Sequence, residues 1–129
     1  MMNSSEKIDI SKGIKARDVF ERFRKNLVTD QDKAGAVQAF EFSYELSWKI
    51  MKHFLESEGY DEITFPNDAF RKAVLMKLID DPEVWFEFRR KRNLSSHIYD
   101  EEELESVLSI FDPFSFELNK LIDRLKVLT

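Results

Sequence analysis

The chain has 129 residues, a size that buries one hydrophobic core but not two independent ones. Its 20 basic and 25 acidic side chains leave a net charge of −5, so its surface as a whole is no glove for a polyanion and any nucleic-acid contact has to be local. The absence of cysteine excludes disulfide frameworks and thiolate metal sites, and a composition 43% hydrophobic and 35% charged, with three glycines and three prolines, is that of a helical protein.

The stretch from Met1 to Asp9 is polar and lacks the apolar core of a signal peptide. No run approaches the roughly 20 apolar residues of a membrane span, so a cytoplasmic location without membrane insertion is expected. Ala16, Phe20, Phe23 and Leu27 recur at spacings of four, three and four, which predicts an amphipathic first helix from about Ser5 to Val28. Thr29-Asp30-Gln31-Asp32 then breaks the pattern with turn and N-cap residues, and a second helix starts there. Val37, Phe40, Tyr44, Trp48, Met51 and Leu55 form one stripe of that helix, while Phe42, Leu46, Ile50 and Phe54 widen the apolar surface to a second side. Such a helix has to be covered on two faces. Its polar strip comprises Glu41, Glu45, Lys49, Lys52 and Glu56 and reads as solvated or interface surface, with Glu45 and Lys49 in the favourable i,i+4 order. His53, at the edge of the apolar face and without chemical company, reads as structural.

Gly59 ends the second helix, Tyr60 to Phe65 connects, and Pro66 opens a shorter helix through about Ile79. Asp81-Pro82-Glu83 supplies an N-cap, a proline at the first helical position and an acidic first turn for a fourth helix. The last helix begins at Asp100-Glu101-Glu102-Glu103, where Asp100 caps and Glu103 reaches back as in a capping box. Its stripe runs Leu104, Val107, Phe111, Phe114, Leu118, Leu121 and Leu125, with Pro113 kinking it. No repeat, low-complexity stretch or long linker interrupts the pattern. The expected fold is all-α: one domain over residues 1–129, an antiparallel up-and-down bundle of about five helices, four long or medium and one short.

Chemistry concentrates in Arg89-Arg90-Lys91-Arg92-Asn93-Leu94-Ser95-Ser96-His97-Ile98-Tyr99-Asp100. Arg92 offers a fixed cation, His97 a group that moves protons near neutral pH, and Tyr99 a nucleophile, a set suited to phosphate chemistry with RNA as the leading substrate. Arg89, Arg90 and Lys91 add a basic patch that stands out in an acidic chain. Trp85, Phe88 and Arg92 share one stripe of the fourth helix, but His97, five residues on, lies about 140° around an ideal helix, on the face of Asn93. Arg92 and His97 therefore meet only if the fourth helix ends near His97, placing the motif at a corner, or if two copies of the chain pair there. A plainer reading stands beside this one: an arginine-rich helix end facing Glu101, Glu102 and Glu103 is charge complementarity between two helix termini. The two histidines are far apart in sequence, no glycine-rich phosphate loop is present, and the Gly-Ser with paired aspartates of a nucleotidyltransferase is missing. Neither a metal nor a cofactor is expected, and the chain should not bind ATP and Mg²⁺ by itself.

Arg92-Asn93-x-x-x-His97-x-Tyr99 resembles the Arg-x4-6-His signature of HEPN domains, in the variant with a tyrosine two residues past the histidine. Phe40-Glu41-Phe42-Ser43-Tyr44-Glu45-Leu46-Ser47-Trp48-Lys49 is similar to the second-helix pattern of nucleotidyltransferase substrate-binding proteins. The likeness runs from about Ala16 to Leu125. It implies an up-and-down helical bundle that forms a homodimer and a hetero-oligomer with a minimal nucleotidyltransferase. It further implies a metal-independent ribonuclease toxin, with Arg92 and His97 of both protomers lining a composite cleft and Asn93 orienting the histidine or the substrate. The partner would restrain it, with Tyr99 as the site of adenylylation. The same likeness also admits a non-catalytic subunit that presents a substrate to the transferase, and a third reading makes the corner a mere interface stabiliser.

Overall fold

In the computed structural model, which describes residues 9–129, the chain forms α1 (Ser11–Arg24), α2 (Asp30–Ser57), α3 (Pro66–Leu75), α4 (Pro82–Ser95), α5 (Glu101–Leu108) and α6 (Phe111–Leu128). The described residues contain no strand, and the fold is the all-α bundle that the periodicity implies. The expected helix start at Ser5 lies outside the described residues. α5 and α6 are the two arms of the expected last helix, which bends by 30°. Its break falls at Ser109 and Ile110. Pro113 accounts for that position, because its ring crowds the carbonyl four residues back and its nitrogen has no proton to donate there.

Local chemistry sets the helix ends. Thr29 and Asp32 form a reciprocal capping box on α2, with Asp32 N donating to Thr29 Oγ1 at 3.0 Å and Thr29 N to Asp32 Oδ2 at 2.9 Å. Asp81 caps α4 and Asp100 caps α5 through backbone N–H groups at 2.9 and 2.8 Å. Glu103 does reach back, but one residue further than a capping box requires, accepting from Tyr99 N at 3.0 Å. Two helices close with the same Schellman hydrogen bonds. After α2, Gly59 takes φ 104° while Tyr60 N donates to Leu55 O; after α3, Lys77 takes φ 61° while Leu78 N donates to Ala73 O. The second closure ends α3 at Leu75 rather than near Ile79.

α2 packs against α1, α3, α4 and α5, and α6 returns to cover α1. The centre is aromatic. Phe20 meets Phe111 and Phe114 edge-on with ring centroids 5.2 and 5.3 Å apart, and Phe40 and Phe88 meet Phe114 at 5.0 and 5.2 Å. Such edge contacts add about 0.5–1.5 kcal/mol each to the area they bury. The stripes predicted for α2 and the last helix fall on this core, with Phe40, Tyr44, Met51, Leu55, Val107, Phe111 and Phe114 all buried. The widened face of α2 is covered unevenly: Phe54 is buried, Leu46 and Ile50 are half-buried, and Phe42 is exposed. His53 is also exposed rather than engaged in packing.

Candidate active site at the α4–α5 corner

α4 carries the motif to its end and stops in time to free the histidine. The helix runs to Ser95 with Ser96 as its C-cap, and His97 follows, its N–H donating to Leu94 O at 2.9 Å. Asn93 and His97 are both exposed, on the outward side of the last turn. Tyr99, two residues on and just before the Asp100 cap of α5, is 84% exposed. The motif thus sits at a corner between two helices, as the angular count requires.

Arg92 turns the other way. It continues the Trp85 and Phe88 stripe, both buried, so its side chain enters the groove between α4 and α2. There Nη1 donates to Glu41 Oε2 at 3.2 Å and to Ser96 Oγ at 2.8 Å, while Nε lies 3.5 Å from Glu45 Oε1. Ser95 Oγ lies 2.5 Å from the same Glu41 oxygen, and Trp48 Nε1 holds Glu45 at 3.1 Å. Nη2 makes no hydrogen bond among the described residues. Within one protomer, therefore, the guanidinium faces inward to two carboxylates while the imidazole faces solvent.

Tyr44 lies beneath this network, its hydroxyl buried and, among the described residues, without a hydrogen-bond partner. Burial pushes its phenol above the ordinary value of 10.0, with Glu45 acting in the same direction and Arg89 and Arg92 opposing. The basic patch is split. Arg90 pairs with Glu87 at 2.6 Å, Lys91 turns to Ser106 Oγ on α5 at 2.5 Å, and Arg89 is half-buried. Beside the corner, a cleft of about 600 Å³ opens between α2 and α5, lined among others by Lys33, Val37, Ile98, Tyr99 and Leu104. A larger groove of about 790 Å³, between the end of α3 and the end of α6, contains no motif residue. No cluster of three or more His, Asp or Glu among the described residues could hold a metal ion.

The polar strip of α2 is thus not merely a solvated surface. Glu41 and Glu45 take up Arg92, while Lys49 stays exposed. The sequence held a signal for this: an arginine on a core-facing stripe needs an anion, and two glutamates four residues apart on a neighbouring helix supply it.

The chain is a small all-α bundle with an Arg-x4-His-x-Tyr motif at the corner between its fourth helix and its bent last one. More narrowly, the chain belongs to the family described as nucleotidyltransferase substrate binding protein like, whose model matches residues 11–127. It is 38% identical over 105 residues to the "Probable ribonuclease HepT" of Haemophilus influenzae, covering 78% of this chain and 72% of that protein. A solved structure from the same organism, described as revealing the fold of a substrate binding domain of a nucleotidyltransferase, superposes with a TM-score of 0.79 at 31% identity, over 92% of this chain and 99% of that one. A solved structure from Thermus thermophilus matches in fold with a TM-score of 0.81 at 20% identity, over 88% of this chain and 98% of that one. No helix of the described residues is long and apolar enough to cross a membrane.

Proposed function

We propose that this chain is a HEPN-type ribonuclease toxin that cuts RNA without a metal, in a composite cleft between two protomers, and is neutralised by a cognate minimal nucleotidyltransferase. The observation that carries this reading is the corner itself: α4 ends at Ser95, Asn93 and His97 are exposed there, and Tyr99 is exposed two residues on, at the cleft between α2 and α5. The likeness to a probable ribonuclease supports the same chemistry. One His97 takes the proton from a ribose 2′-hydroxyl, whose oxygen attacks the adjacent phosphorus. Solvent supplies the proton to the departing 5′-oxygen, so the products are a 2′,3′-cyclic phosphate and a free 5′-hydroxyl. Arg92 stabilises the charge that builds on the phosphate, and Asn93 orients the imidazole. Arg89, Arg90 and Lys91 guide the strand to the cleft.

Control falls to Tyr99. Its exposed hydroxyl attacks the α-phosphorus of ATP held by the partner, and pyrophosphate leaves. The attached AMP brings a negative phosphate beside His97, which repels RNA. The test is cleavage of single-stranded RNA by the purified protein in EDTA, with growth on solo expression as its cellular counterpart. Wild type is expected to cut and to arrest growth, and His97→Ala to do neither; equal inertness of the two proteins sinks the reading.

A second reading draws on a specific observation, the neutralisation of Arg92 by two carboxylates. Here the chain is a non-catalytic subunit that presents a substrate to the transferase. It predicts a transferase that loses activity without this chain and keeps it with His97→Ala.

A further inference from the structure

Arg92 is the residue on which the ribonuclease reading places phosphate charge, yet its own surroundings are acidic. Glu41 Oε2 lies 3.2 Å from Nη1 and Glu45 Oε1 3.5 Å from Nε, so one positive charge faces two negative ones. The side chains of Arg92 and Glu41 are each only 25% exposed, which weakens the screening that water gives a surface pair. Both acids are themselves held. Ser95 Oγ lies 2.5 Å from the Glu41 oxygen that accepts from Arg92, and the Trp48 indole donates to the second oxygen of Glu45 at 3.1 Å. The contact spans α2 and α4 and is not an adventitious pairing of two flexible surface chains.

We propose that Glu41 and Glu45 form an electrostatic latch that positions Arg92 and withholds its charge from RNA until a phosphate enters the cleft. The proposal rests on RNA being the ligand of this corner. With the latch closed, Arg92 and its two acids together carry a net negative charge, and Nη2 is the guanidinium nitrogen that contacts neither carboxylate. A strand gains the arginine only by displacing at least one carboxylate, so the resting protein holds RNA weakly and unproductive encounters dissociate. Glu41 and Glu45 act through Arg92 and are positioning residues, with Ser95 and Trp48 fixing their geometry.

The latch predicts a coupling that a purely structural ion pair does not. A labelled single-stranded 2′-O-methyl RNA, which lacks the attacking hydroxyl and cannot be cut, serves as probe in fluorescence anisotropy across a salt series. Glu41→Gln/Glu45→Gln keeps the shapes and removes both charges; it is expected to bind roughly tenfold tighter at low salt, with the salt slope steeper by about 0.7 for one added phosphate contact. Replacing Arg92 with Gln in that background should abolish the gain. A gain of the same size without the arginine would mean that removing two negative charges acts generally, and it overturns the latch. No gain at all also overturns it. Glu41→Gln alone carries the same prediction at smaller size, should the double variant fold poorly. None of these outcomes depends on whether the wild type cleaves RNA, which His97→Ala tests separately.

Discussion

Tyr44 poses the sharpest question at the scale of single residues, because a phenol sits in the core with its hydroxyl unpartnered while three charged side chains act on it from nearby. A buried hydroxyl without a partner adds desolvation cost and little else, so Tyr44→Phe is expected to leave stability within about 1 kcal/mol of wild type, or to raise it. The pH dependence carries a sign. The folded phenol titrates above its ordinary value of 10.0, so the native state holds a proton that the unfolded chain releases. That contribution is complete below pH 10.0, is lost as pH rises further, and should vanish in Tyr44→Phe. Urea titrations of both proteins between neutral and strongly alkaline pH measure it; a loss of about 2 kcal/mol at neutral pH would show instead that the hydroxyl has a partner. Legibility at this scale divides along the same lines. The end of α4 near His97 followed from the cap at Asp100, and the separate faces of Arg92 and His97 from counting 100° per residue, both local quantities. The pairing of Arg92 with Glu41 joins residues 51 apart, and no local period encodes which face of α2 an arginine on α4 will meet.

The helix ends show what elements take from their sequence and what they take from the chain around them. α2 and α3 close with the same pair of backbone hydrogen bonds, but glycine occupies the left-handed position after α2 and lysine the one after α3. Glycine announced the first ending, whereas a lysine gives no such signal and the apolar pattern of Leu78 and Ile79 runs on past the true end. Both of those side chains are buried by the fold, which explains why the chain turns there despite the local strain. Relieving that strain is expected to stabilise the protein. Lys77→Gly should raise the unfolding free energy by about 0.5–1 kcal/mol in thermal or urea melts, less the entropy that glycine adds to the unfolded chain. Gly59→Ala, at φ 104°, should move it the opposite way. A destabilised Lys77→Gly would mean that the lysine side chain contributes more than its backbone costs. The bend between α5 and α6 was legible for the converse reason, since a proline inside an apolar stripe has only one steric consequence and it is felt four residues back.

Across the whole molecule, the fold separates the two residues that phosphate chemistry needs together. Arg92 points into the α2–α4 groove, while His97, past the C-cap of α4, is exposed at the corner. Two-fold pairing through the corner is the arrangement that the proposed ribonuclease requires, since it brings the arginine of one protomer toward the histidine of the other. That requirement has a consequence in mixed dimers. Arg92→Ala and His97→Ala are each expected to be inactive alone. Unfolded together, mixed in equal amounts and refolded, half of their dimers are heterodimers, and each of those rebuilds one of its two cross-protomer Arg92–His97 pairs, so cleavage should return to about a quarter of wild type. A cleft confined to one protomer makes the opposite prediction, because every chain in the mixture then lacks either its arginine or its histidine and no pairing repairs it. Cleavage of single-stranded RNA by the refolded mixture, measured against each variant refolded alone, decides between the two arrangements. Recovery would place the catalytic unit at the level of the dimer, and persistent inactivity would exclude the cross-protomer cleft while leaving the fold of the single chain untouched.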